Sequence, residues 1–133
     1  MKSTLFPRVA MLALASCIVA FQAAKAAQED YEFQLVDSEI KQGDAAVVAV
    51  RLVDKRSGGL VENAVIFATR MDMAPDAMEA MSTTVEAMPS IDPGIYRFTT
   101  SLTMAGGWRF SIAAKVQGEE GTVESRLIFK AVP

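Results

Sequence analysis

The chain has 133 residues, 51% hydrophobic and 22% charged, with one Cys and no His, which suits one folded domain rather than a disordered chain. Its formal net charge of −3 lacks the basic excess of a nucleic-acid binder. Without His there is no His-dependent triad, His general base or His-ligated metal, and one Cys excludes an internal disulfide and a CxxC redox pair.

Residues 1–26 read as a secretory signal peptide. Lys2 and Arg8 form a positive start, residues 9–21 an apolar run, and Ala24-Lys25-Ala26 a small-x-small cleavage site. The run is roughly 13 residues, short of the ~20 that span a bilayer. Two alternatives stand beside cleavage. Leu14-Ala15-Ser16-Cys17 resembles a lipobox, which would make Cys17 a lipidated first residue, although the chain stays apolar after it. Residues 9–24 would also serve as an uncleaved anchor. Cleavage removes Lys2, Arg8, Lys25 and Cys17, leaving 10 basic against 16 acidic residues and neither Cys nor His in residues 27–133.

The body, residues 27–133, reads as about seven short strands separated by turns. Residues 31–36 and 46–53 alternate apolar with polar positions, the second with Val48, Val50 and Leu52 on one face. Asp54 to Gly59 is a turn. Residues 64–69 favour strand. Residues 70–81 break the pattern: Ala, Glu and Met favour helix and Pro75 suits a first turn, which predicts a loop with one helical turn over 75–81. Residues 82–87 and 95–99 return to alternation around the Asp92-Pro93-Gly94 reversal. Trp108, Phe110, Ile112 and Ala114 share a face, and residues 122–132 close the chain. Alternation with one apolar face predicts antiparallel sheets packed on each other. At this length the expected fold is an immunoglobulin-like antiparallel β-sandwich with Trp108 as a core anchor.

Val50-Arg51-Leu52-Val53-Asp54, Gly58-Gly59-Leu60-Val61-Glu62-Asn63-Ala64, Met71-Asp72-Met73, Pro93-Gly94-Ile95-Tyr96 and Met104-Ala105-Gly106-Gly107-Trp108 together resemble the YtkA-like domain, related to FixH-type proteins. The resemblance spans roughly residues 31–132. It implies a small extracytoplasmic β-sandwich that accompanies metal-efflux or oxidase-assembly systems, with a periplasmic or membrane protein complex as partner. FixH-type proteins are membrane-anchored, whereas this leader reads as cleavable.

All six methionines outside the leader fall between residues 71 and 104. Thioethers are soft ligands that suit Cu(I). Met71 and Met73 share a face if extended, and Met78 and Met81 if helical. These four are the first candidate ligands, with Met88 and Met104 in reserve, and Asp72, Asp76 and Glu79 would attract cations. On that reading, changing Met71 and Met73 to Leu abolishes Cu(I) binding without unfolding the chain. The opposing reading makes the methionines flexible core filler. A third makes Met78, Met81 and Met88 a metal-free docking surface ringed by Asp76, Glu79 and Glu86.

No enzyme is expected. The carboxylate pairs Asp72/Asp76 and Glu119/Glu120 read as a solvated loop and turn, and Ser57, Ser82 and Ser101 have no His to activate them. Gly58-Gly59 and Gly106-Gly107 lack the Lys and helix start of a phosphate loop.

Overall fold

The computed structural model describes residues 28–133; the segment 1–26 read as a leader, with Cys17 and the expected cleavage site at Ala26, lies outside the described residues. Nine strands are present among these: β1 Tyr31–Leu35, β2 Glu39–Lys41, β3 Gly43–Asp54, β4 Ala64–Met73, β5 Met78–Thr83, β6 Val85–Met88, β7 Ile95–Leu102, β8 Gly106–Val116 and β9 Val123–Val132. They form a four-stranded sheet ordered β1-β3-β7-β6 and a five-stranded sheet ordered β2-β9-β8-β4-β5. Neighbours run antiparallel except β2, which lies parallel to β9. That order reproduces the two sheets of an immunoglobulin domain, with β4, β8 and β9 as its central C, F and G strands. The expected sandwich is therefore the observed one.

Period-2 patterning builds the core. Val48, Val50 and Leu52 on β3 are fully buried, as are Phe110 and Met71 in the facing sheet. Phe98 on β7 meets Phe110 on β8 edge-to-face across the sandwich, 5.1 Å between centroids. Trp108 is 1% exposed, faces Phe129 on β9, and donates its indole N–H to the Met104 carbonyl at 3.1 Å.

The Pro93-Gly94-Ile95-Tyr96 segment has a mechanical role. Gly94 has φ 81°, and a Cβ there would lie 2.5 Å from the Leu60 Cβ, so the close approach of the β3–β4 connection requires glycine. The Tyr96 hydroxyl donates to the Val61 carbonyl at 2.8 Å and accepts from the Ala64 N–H at 3.1 Å, pinning that connection where β4 begins. Burial raises the Tyr96 pKa, so the hydroxyl stays protonated and keeps its donor.

The sequence reading departs from the structure in four places. Residues 70–81 are not a loop with a helical turn: β4 runs on to Met73, a short 3₁₀ turn occupies Ala74–Asp76, and β5 starts at Met78. Alternation of Arg70, Met71, Asp72 and Met73 across the sheet outweighed the helix propensity of Met and Ala. The stretch 82–87 is two strands, because the chain leaves one sheet at Thr83 and joins the other at Val85. The buried Thr100 hydroxyl donates to the Thr84 carbonyl at 2.8 Å at that crossing. The short β2 has no sequence signal of its own, since Glu39 and Lys41 flank a single apolar Ile40. Asp72 is no solvated loop residue, being wholly buried within β4.

Candidate functional site

The methionines fall into distinct places. Met71 and Met73 project inward from β4 and have no exposure. Met73 stands directly opposite Met78 across the β4–β5 hairpin, and Met78 is half-buried against the core. Directly opposed residues share a face of the sheet, which places the two thioethers on the same side of the hairpin. The hairpin is tight because Ala77 adopts the left-handed conformation, φ 58°, after the 3₁₀ turn. That turn packs against the start of β8. Asp76 accepts the Gly107 N–H at 3.0 Å, and a Cβ on Gly107 would come within 2.8 Å of the Pro75 ring. A Cβ on Gly106 would approach the Met73 methyl to 3.1 Å, so Met73 reaches the β7–β8 turn that carries Met104. Met71 sits deeper, opposite Phe110. Met81 is 41% and Met104 40% exposed. Met88 belongs to the other sheet, opposite Arg97 on β7. The six candidates are thus one cross-strand pair, Met73 and Met78, beside the Met104 turn, with Met71, Met81 and Met88 apart. Among the described residues no three His, Cys, Asp or Glu side chains cluster as a metal site. The Met73/Met78 pair suits a soft ion by its sulfurs, yet lies under the 3₁₀ turn.

On the opposite face of β4, Asp72 anchors an ionic network that the sequence did not reveal. Its Oδ2 accepts from Arg70 Nε at 2.9 Å and Arg109 Nη2 at 3.0 Å, and its Oδ1 from the Ala74 N–H at 3.0 Å. Arg109 also donates to Glu79 at 3.1 Å, and Arg70 to the Glu79 carbonyl at 3.0 Å. Burial pushes the Asp72 pKa up, but the bonds from Arg109, Ala74 and Arg70 together outweigh it and hold the carboxyl below its ordinary value. Hydrogen bonds to Asp72 and Glu79 raise the Arg109 pKa correspondingly. The network ties β4, β5 and β8 together at one end of the sheet. Its sequence signal is the alternation Arg70-Met71-Asp72-Met73, which resolves into apolar and polar faces only once the segment is taken as a strand.

The remaining feature is an open edge. β5 pairs with β4 only at Met71, Asp72 and Met73, so residues 64–70 have β8 on one side and, among the described residues, no strand on the other. This edge carries no charge from Ala64 to Thr69. Val65 is 66% and Phe67 58% exposed. Phe67 is skipped in the pairing with β8, a bulge that leaves it without a cross-strand neighbour. A cleft of about 410 Å³ opens between the edge and β6, lined by Ile66, Phe67, Thr69, Val85 and Met88 among others. A second depression of about 590 Å³ lies on the outer side, against Val65, Phe67 and Lys115. Beyond Ala64, whose N–H is taken by Tyr96, the backbone groups on this side face no strand among the described residues and form a template for an added strand.

Strand order and packing define the class of the molecule: an immunoglobulin-type sandwich with one half-open sheet edge. The chain belongs to the YtkA-like family, whose sequence profile matches residues 25–113, about two thirds of its length. The match ends within β8 and does not reach β9. No curated protein matches the chain. Three solved structures resemble it loosely. The Lin-41 filamin domain is 16% identical over 75% of this chain and 91% of its own, TM-score 0.47. The ZirS C-terminal domain is 13% identical over 100% and 85%, TM-score 0.42. A conjugative transposon lipoprotein from Bacteroides eggerthii is 10% identical over 75% and 96%, TM-score 0.35. With all three scores below 0.5, the fold assignment rests on the strand order itself.

Proposed function

We propose that this YtkA-like chain is exported across the inner membrane and works outside the cytoplasm as a non-catalytic binding module, docking on a protein of the cell envelope through the free edge of β4. The observation that carries the reading is the edge of residues 64–69, which bears no charge and faces no strand on its outer side among the described residues, with Phe67 and Val65 exposed on it. Natural sheet edges are normally blunted by charge, proline, bulges or cover; from Ala64 to Thr69 this one has only the bulge at Phe67, which fits an edge that a partner covers. An extended segment added there gains main-chain hydrogen bonds from the strand and side-chain contacts from the clefts on either side. The family resemblance directs the search to envelope complexes of metal efflux or oxidase assembly. Among the described residues no helix is long and apolar enough to cross a membrane; the leader reading offers attachment through a lipidated Cys17 or an uncleaved anchor.

Placing Lys at both Val65 and Phe67 tests the edge. Both side chains are exposed, so the double variant should keep its stability within about 1 kcal/mol, since exposed substitutions usually cost about 0.5 kcal/mol or less each. It should lose its complex, measured as the native mass of the exported chain in detergent-solubilised envelopes. An unchanged complex in the double variant overturns docking at this edge.

A second reading, Cu(I) handling, is favoured by one observation, the direct opposition of Met73 and Met78 beside the Met104 turn. Anaerobic titration of the chain with Cu(I) against a chromophoric chelator should then show stoichiometric binding that the Met73→Leu, Met78→Leu double variant abolishes. These swaps nearly conserve volume and should cost under about 1.5 kcal/mol each. Absence of competition with the chelator removes the metal and leaves the pair as packing.

A further inference from the structure

The outer face of the five-stranded sheet holds a second feature, separate from the free edge. Ser111 lies mid-sheet on β8, directly opposite Arg70 on β4 and directly opposite Arg126 on β9. Arg109 precedes it by two positions, hence on the same face. A depression of about 380 Å³ is lined by these four residues together with Ala113 and Ser125. Adjacent strands are about 4.8 Å apart, so the three arginines surround a floor of small side chains.

Their charges are unevenly met. Arg70 and Arg109 are engaged by Asp72, and Arg109 also by Glu79. The Nε of Arg109 is nevertheless buried with no hydrogen-bond partner. Arg126 is exposed, and among the described residues no carboxylate lies within ion-pair distance of it. The Arg109 Nε lies beneath the surface, so the donors the basin presents to solvent are the free guanidinium of Arg126 and the hydroxyl of Ser111 directly opposite it. We propose that this basin binds a carboxylate, supplied by an acidic side chain or chain terminus of a partner, through Arg126 and the Ser111 hydroxyl, which both line it. A monoanion fits better than a phosphate dianion, because Asp72, Glu79 and Glu124 already surround the arginines with negative charge. Guanidinium groups suit the planar carboxylate. The inference does not depend on strand addition at β4, since these donors occupy the face of the sheet rather than its edge.

The test is an NMR titration of the 15N-labelled chain, as exported by its host, with sodium acetate at constant ionic strength, using chloride as reference and phosphate as a second probe. Acetate should shift the Arg126 Nε–H and the Ser111 amide saturably, and chloride should not. Arg126→Gln, an exposed change that leaves the fold intact, should weaken acetate binding about tenfold, the loss expected for one charge-assisted hydrogen-bonding partner. The proposal is overturned if these resonances do not move, if chloride moves them equally, if phosphate binds more tightly than acetate, or if the Arg126→Gln affinity is unchanged. The Val65→Lys, Phe67→Lys double variant should titrate like the unmodified chain, which separates this site from the edge.

Discussion

Asp72→Asn should destabilise the domain by about 3 kcal/mol, the lower end of what breaking a buried ion pair costs when one partner is removed. The lower end applies because Arg70, one of the two cations, is half exposed. The cost arises at Arg109, whose side chain is 19% exposed. It would keep its charge with only Glu79 as partner, and Glu79 is itself 71% exposed. A loss of this size lowers Tm by about 15 °C in a domain of about 100 residues. Arg70→Gln, at the solvent side of the same cluster, should cost under about 1 kcal/mol, as exposed pairs do. Similar losses in the two variants would contradict the distinction between buried and exposed members. The pH dependence has a definite sign. A carboxyl whose folded pKa is depressed stabilises the fold above its unfolded pKa of about 4 and loses that contribution as pH falls through the folded value. Urea unfolding between about pH 5 and pH 2 should show this acid limb in the unmodified chain and a flatter one in Asp72→Asn.

Trp108→Ala should cost more, about 4 kcal/mol, in the range for emptying a buried aromatic site. Trp108 is the largest of the fully buried side chains and lies where β8 meets Phe129 on β9. Its neighbours are strand residues fixed by ladders on both sides of β8, so the cavity has little freedom to collapse. Trp108→Phe separates packing from hydrogen bonding. It keeps much of the volume but leaves the Met104 carbonyl without the indole donor, and should cost about 1–2 kcal/mol. Chemical denaturation with both variants checks the pair. A Trp108→Phe loss as large as that of Trp108→Ala would move the weight from the ring to the β7–β8 turn.

The sandwich was legible because its central strands alternate cleanly. Val48, Val50 and Leu52, and Trp108, Phe110 and Ile112, each declare one inward face, and Pro93-Gly94 declares its turn. The β4–β5 hairpin was hidden because Met, Ala and Glu have helical preferences, while the strand pattern there is carried by only four residues, Arg70 to Met73. Once that segment is misread, Asp72 looks like a loop acid and its partner Arg109, 37 positions on, has no reason to be noticed. The methionines were visible as a cluster in sequence but not as places in space. Directions along β4, and the crossing between sheets at Thr84, send Met71 and Met73 into the core and Met88 to the other sheet. The free edge is harder still to read, because it depends on which neighbour β5 leaves uncovered, a property of sheet order rather than of any local pattern. Val65 and Phe67 therefore read as ordinary strand residues until β5 is seen to stop short of them.

Docking at the β4 edge is tested most directly by site-specific photo-crosslinking in the native host. A photoreactive phenylalanine analogue replaces Phe67 on the open edge in one chain and Val47, exposed on β3 of the other sheet, in another. Irradiation should crosslink the chain modified at position 67 to one discrete envelope protein, through an extended segment identified by mass spectrometry. The chain modified at position 47 should give no crosslink to that segment. Crosslinks of equal yield to the same segment from both positions, or from position 47 alone, would contradict docking through the free edge of β4.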